Sequence, residues 1–192
     1  MSSLPASTRA VAVRTFRSAK TAHAVPIASD LVETALVQAS LDPEVLVIAP
    51  VQPPTWSPDA HPVAHFVVTR ADERIGVHVA VEDHTPDVEP SPDRLKTVVL
   101  RPADLRAEPF ANNVRLAWAC ARRWYPAGDQ VRILRFLQEN GESSLIDAAQ
   151  AASASSDPVA TLMAMACRDL LELDLRSGPL GPETRVARRL AP

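Results

Sequence analysis

The stretch from Gly76 to Asp83, GVHVAVED, alternates without a break: Val77, Val79 and Val81 fall on one side, His78, Ala80 and Glu82 on the other. A period of two is that of a strand with one dry face. The preceding run AHFVVT is set off from it by Arg70-Ala71-Asp72-Glu73-Arg74, and the two predict a hairpin. Such a hairpin needs an apolar cover. With 192 residues, 46% of them hydrophobic, the chain can build one full core, or a medium domain followed by a small one.

Before the hairpin, Ser29 and Asp30 offer an N-cap to a helix whose apolar positions are Leu31, Ala35, Leu36 and Ala39, closing near Asp42-Pro43. EVLVIAP reads as a short buried strand, and QPPTWSPDAHP as a proline-rich extended loop. AVAVRTF, near the N-terminus, has the alternation of an edge strand. After the hairpin, HTPDVEPSPD is an acidic surface loop, LKTVVLR a further strand, and PFANNVRLAWACARRWY a helix of about four turns. This predicts an α/β body ending near Pro126.

The remainder changes character. VRILRFLQENG is an amphipathic helix closed by Gly141, SSLIDAAQAA a second helix, and Asp157-Pro158 opens a third, VATLMAMACRDLLEL. LELDL, the turn SGPLGPE and TRVARRL then form a hairpin. Three helices followed by a hairpin is the order of a winged helix, so the expected domains are residues 1–126 and 127–192, each with its own core.

Several pieces together resemble one family, the TnsA-type endonucleases of heteromeric transposases. Lys20 followed by ASDLVE is similar to the family's lysine and Glu-Ser-x-x-Glu at the first helix; DPEVLVIAPVQPPTW is similar to its D-P-x-V strand and Q-P loop; AHFVVT with GVHVAVED occupies the place of its catalytic hairpin; PADL and FANNVRL resemble the segment that follows. The resemblance covers most of residues 9–125. It implies a restriction-endonuclease-like mixed sheet flanked by helices.

Phosphodiester hydrolysis on that fold requires hard oxygen ligands for magnesium and a lysine beside the attacking water. By the resemblance, Glu33 stands at the helix glutamate, His65 at the hairpin aspartate, Ala80 at the next carboxylate and Glu82 at the lysine. Neutral histidine is a poor magnesium ligand, alanine is none, and glutamate reverses the lysine's charge. The motif is degraded, which leaves no intact catalytic set, metal site or cofactor. A repurposed zinc site from His65, His78 and Glu82 with Glu33 nearby is the sharper alternative; histidines scattered at His61 and His84 weigh against it.

In the C-terminal module, Arg176, Arg185, Arg188 and Arg189 cluster around the hairpin and are the candidate phosphate contacts. The third helix offers Thr161 and Arg168 but otherwise an Ala- and Met-rich face, which suits a protein partner better than base edges. A net charge of −3 argues against a generally basic nucleic-acid binder, although Arg9, Arg14, Arg17 and Lys20 form an arm with no acid before Asp30. Cys120 and Cys167, both in apolar helical stretches, read as reduced core thiols. No apolar run approaches the roughly 20 residues that cross a bilayer, and the N-terminus lacks a continuous apolar signal core, so a cytoplasmic protein is expected.

The function expected is that of a catalytically inactive nuclease-like protein with a DNA-associated or assembly role, linked to transposition or to a domesticated mobile element. The alternatives are an active metal-dependent endonuclease with rearranged catalytic residues, and a protein-interaction adaptor that does not bind DNA.

Overall fold

The computed structural model describes residues 14–51, 64–80 and 95–189. Two short antiparallel strands, β1 (Thr15–Phe16) and β2 (Val25–Pro26), lead into helix α1 (Asp30–Leu41). The Ser29 hydroxyl accepts the Val32 N–H at 3.3 Å, and Asp30 and Glu33 occupy the first turn, where the helix dipole favours negative charge. Asp42 is extended ahead of Pro43 and ends the helix, as expected.

Helix α1 covers a four-stranded sheet of β3 (Val47–Pro50), β4 (Phe66–Thr69), β5 (Arg74–Val79) and β6 (Lys96–Leu100), in that order. The first three strands are antiparallel and β6 runs parallel to β5. Phe66, Val68, Ile75 and Val77 point toward α1, sharing a cavity with its Ala35, Gln38 and Ala39. Alternation sends His65, Val67, Gly76, His78 and Ala80 to the other face. A Cβ on Gly76 would stand 3.1 Å from a Leu95 methyl and 3.3 Å from the Ala64 methyl, so this face is packed too tightly there for a side chain.

Helices α2 (Pro102–Leu105) and α3 (Phe110–Trp118) follow, then α4 (Ala127–Asn140), β7 (Ser143–Ser144), α5 (Leu145–Gln150), α6 (Pro158–Cys167), β8 (Leu171–Leu173) and β9 (Arg185–Arg188). Strand β9 lies between β7 and β8, antiparallel to both. Gly141 closes α4 with φ of 75°, a backbone conformation that favours glycine. Ser144 caps α5 and Asp157 caps α6, their side chains accepting N–H bonds from Asp147 and Ala160 at 3.2 and 3.1 Å.

Two expectations need correction. The third helix, α6, does not offer an Ala- and Met-rich face to solvent: Ala160, Thr161, Leu162, Ala164, Met165, Ala166 and Cys167 are all buried. A helix apolar nearly all round belongs inside, and its small side chains let α3 and α5 approach closely. The other concerns the separate cores expected for residues 1–126 and 127–192. The buried apolar cluster instead runs unbroken from Phe16 through Leu36, Ile48 and Phe66 to Leu162, Met165 and Val186. Helix α3 joins the two parts by packing on α6, and the Cys167 thiol donates to the Ala117 carbonyl at 3.3 Å.

Candidate functional site

The hairpin brings His65 and His78 together. Their rings, cross-strand neighbours on the face away from α1, lie 4.9 Å apart at an angle of 44°. His65 Nδ1 accepts the Val79 N–H at 3.0 Å, which leaves the proton of the neutral ring on Nε2. Burial, and then the neighbouring His78, lower the His65 pKa below its ordinary value, so the ring stays neutral at neutral pH. Ala80, 3% exposed, donates its N–H to the Leu100 carbonyl at 2.9 Å. The two hairpin positions at which the resemblance leads one to expect carboxylates therefore hold a neutral imidazole whose Nδ1 lone pair is engaged, and a buried methyl group.

Glu33 is elsewhere. It sits in the first turn of α1, ion-paired with Arg14, which also holds Asp30 at 2.8 Å. It borders a 460 Å³ cleft between α1, α2 and α3 floored by Val37, Leu105, Val114 and Trp118. The expectation that Glu33 would lie near the histidines is not met, because α1 packs on the opposite face of the sheet. Glu82, the fourth position, lies outside the described residues, as do His61 and His84. Among the described residues, no three His, Cys, Asp or Glu side chains gather closely enough to hold a metal ion.

The hairpin arginines are brought together, but toward the body of the molecule. Arg189, its side chain 10% exposed, pairs with Glu172 at 2.8 Å and Asp169 at 3.5 Å and donates to the carbonyls of Pro43 and Val45 ahead of β3. Arg176 pairs with Asp42 at 3.4 Å and lies 3.9 Å above the centre of the Phe110 ring. Arg185 bridges Glu142 at 3.2 Å and Asp174 at 3.4 Å. Arg188 donates to the Gln138 side-chain oxygen at 2.7 Å. Three of the four are thus matched with carboxylates.

These residues surround a 450 Å³ cleft between the end of α1 and the β8–β9 hairpin. Its lining carries five carboxylates, Asp42, Glu44, Glu142, Glu172 and Asp174, against the guanidiniums of Arg70, Arg176 and Arg185. Even with Arg189 counted against Glu172 the acids outnumber the guanidiniums, which disfavours a phosphate backbone in the cleft. Behind it, Lys20 is buried, donating to the Asp42 carbonyl at 2.6 Å and facing Asp169 at 3.4 Å. Burial pulls its pKa down, and Asp169 partly offsets this. Lys20, Asp169, Arg189 and Glu172 form a charge network that ties the N-terminal segment to the C-terminal hairpin.

Neither polar residue of the third helix is free to read bases. Thr161 is fully buried, bonded to the Ser155 hydroxyl at 2.8 Å and the Asp157 carbonyl at 3.1 Å. Arg168 donates to the Arg123 carbonyl at 3.0 Å and stands 4.3 Å above the Tyr125 ring centre. Both cysteines are free thiols; burial pushes Cys167 up to about 12.

Sequence reasoning missed Asn113. Fully buried, it donates to the carbonyls of Leu175 and Gly178 at 3.0 and 2.7 Å and accepts the Leu180 N–H at 2.9 Å, pinning the β8–β9 connection to α3. Nothing in FANNV distinguishes it from its half-buried neighbour Asn112. Lys20 carried a weak signal, being one of two lysines in an arginine-dominated chain. No helix among the described residues is long and apolar enough to cross a membrane. Compared with protein-family models, characterised proteins and solved structures, the chain matches none.

Proposed function

We propose that this chain is a catalytically inactive, nuclease-like protein, a restriction-endonuclease-like sheet joined to a winged-helix-like unit, that takes part in assembling a DNA-bound complex without cutting the DNA. The nuclease-like reading is supported by a helix followed by three antiparallel strands and a fourth parallel to the third. The winged-helix-like reading is supported by the order α4, β7, α5, α6, β8, β9 and by the central place of β9. The observation that carries the inactive assignment is the His65 and His78 pair. A neutral ring accepting a backbone N–H, beside a buried methyl at Ala80, replaces the oxygen ligands that magnesium chemistry needs.

A role in transposition, or in an element domesticated from it, rests on the resemblance to the TnsA-type family. Incubating the purified protein with supercoiled plasmid and magnesium or manganese tests the inactive assignment. No nicking is expected. Metal-dependent nicking that disappears in Glu33→Ala would overturn it in favour of rearranged catalytic residues.

The pairing of Arg176, Arg185 and Arg189 with carboxylates favours a second reading, a protein-interaction adaptor, although not through α6, whose Ala- and Met-rich face is buried. Failure to bind any DNA at low salt would select it.

A further inference from the structure

One cationic surface that keeps guanidiniums without carboxylate partners among the described residues is the turn between α3 and α4. From Phe110 to Tyr125 the sequence carries Arg115, Arg122 and Arg123 and no acid, in a chain of net charge −3. Trp124, in this turn, is 79% exposed. Its backbone is held on both sides: Tyr125 is buried beneath Arg168, and Arg168 donates to the Arg123 carbonyl at 3.0 Å. Arg123 is itself anchored by Asp157 at 3.2 Å. Neither Arg122 nor Arg168 has a carboxylate partner among the described residues, so the turn presents an exposed indole on an anchored backbone, in a segment with two guanidiniums that no acid neutralises.

We propose that this turn is a contact site for single-stranded nucleic acid, with Trp124 stacking on an unpaired base and Arg122 and Arg168 meeting the flanking phosphates. The inference rests on the DNA-associated reading above and moves the contact away from the β8–β9 hairpin, whose arginines are held by acids. An exposed indole matches one base face, whereas a duplex hides its bases from such a contact. Pinning by Arg168 and Tyr125 fixes the backbone that carries the indole, so the main chain need not be reordered when a base is bound. A membrane surface would call for a wider apolar area than one indole and the half-exposed Leu116 supply.

The test uses the full chain, a single-stranded oligothymidylate and a blunt duplex, each titrated at several salt concentrations. Trp124→Ala is expected to weaken single-strand binding roughly 5- to 150-fold and duplex binding less than about twofold, with Trp124→Phe keeping most of the affinity. Arg122→Ala should weaken both and lower the single-strand salt slope by about 0.7. Single-strand binding equal in Trp124→Ala and the parent would overturn the site while leaving the DNA-associated reading in place. Binding of neither DNA by the parent would overturn both. A blue shift of indole fluorescence with anionic vesicles but not with DNA, lost in Trp124→Phe, would overturn it in favour of a lipid surface.

Discussion

Arg189 donates a hydrogen bond to the carbonyl of Pro43, 146 residues earlier in the chain. With Glu172 and Asp169 on the same guanidinium, the contact fastens the β8–β9 hairpin to the loop that feeds the sheet. Arg189→Ala would leave two part-buried carboxylates, Asp169 with Lys20 as its remaining cation and Glu172 with none. The expected loss is about 3 kcal/mol, by analogy with other broken buried pairs, read as a lower urea midpoint at unchanged slope. Arg188→Ala, which removes only the exposed contact to Gln138, should cost less than about 0.5 kcal/mol.

Asn113→Ala should be as costly. It removes two donors and an acceptor from the buried junction of α3 with the β8–β9 connection, leaving the Leu175 and Gly178 carbonyls unsatisfied. About 3 kcal/mol of destabilisation is expected by thermal melting, with faster proteolysis between Leu175 and Gly181. Asn113→Asp should rescue little, since a carboxylate cannot donate to either carbonyl.

Stability should depend on pH through His65. An unfolded histidine titrates near 6.5, and the folded ring does so lower. Below about pH 6.5 the unfolded chain binds a proton that the folded chain refuses, so stability present above that value declines as the pH falls toward the folded pKa. Urea titrations between pH 7.5 and 5 should show the decline, and His65→Asn should flatten it. His78→Asn should preserve most of it, because burial outranks the neighbour as the cause.

Placing a carboxylate at Ala80 should damage the fold. Ala80 is buried, and Ala80→Glu forces an ionisable group into a packed layer. A loss of more than about 3 kcal/mol, or insoluble protein, is expected on expression and melting. Ala80→Val serves as the comparison for added volume alone.

The thiols should separate by reactivity. At pH 8, Cys167, whose thiol is pushed up to about 12, should react with a disulfide reagent only once the protein is unfolded. Cys120, part-exposed and raised to a smaller extent by burial, should react slowly in the native protein.

The elements whose signals are local were legible in the sequence. Ser29 and Asp157 cap helices where they were expected to, Gly141 closes one, and the 70–74 turn joins the two hairpin strands. Helix α3 ends at Trp118, short of the four turns expected, and α6 stops at Cys167, because Leu171–Leu173 is taken into the sheet beside β9. What remained hidden was decided by tertiary pairing. Arginine clustering at Arg176, Arg185 and Arg189 looked like a phosphate surface, yet the acids that neutralise it come from as far away as Asp42. The histidine pair was legible as one face of a hairpin, but not the backbone N–H that occupies His65.

The lock between Lys20, Asp169 and Arg189 also sets an order of events during synthesis. Its members are separated by nearly the whole described chain, so the loop they close is long and forms late. At ribosomal rates of roughly 5–20 residues per second, about 7 to 30 seconds separate the emergence of Lys20 from that of Asp169. Through that interval the half-built sheet carries an unmatched lysine and an uncovered α1 end, a vectorial folding problem in which the later-made β8–β9 hairpin acts as the latch.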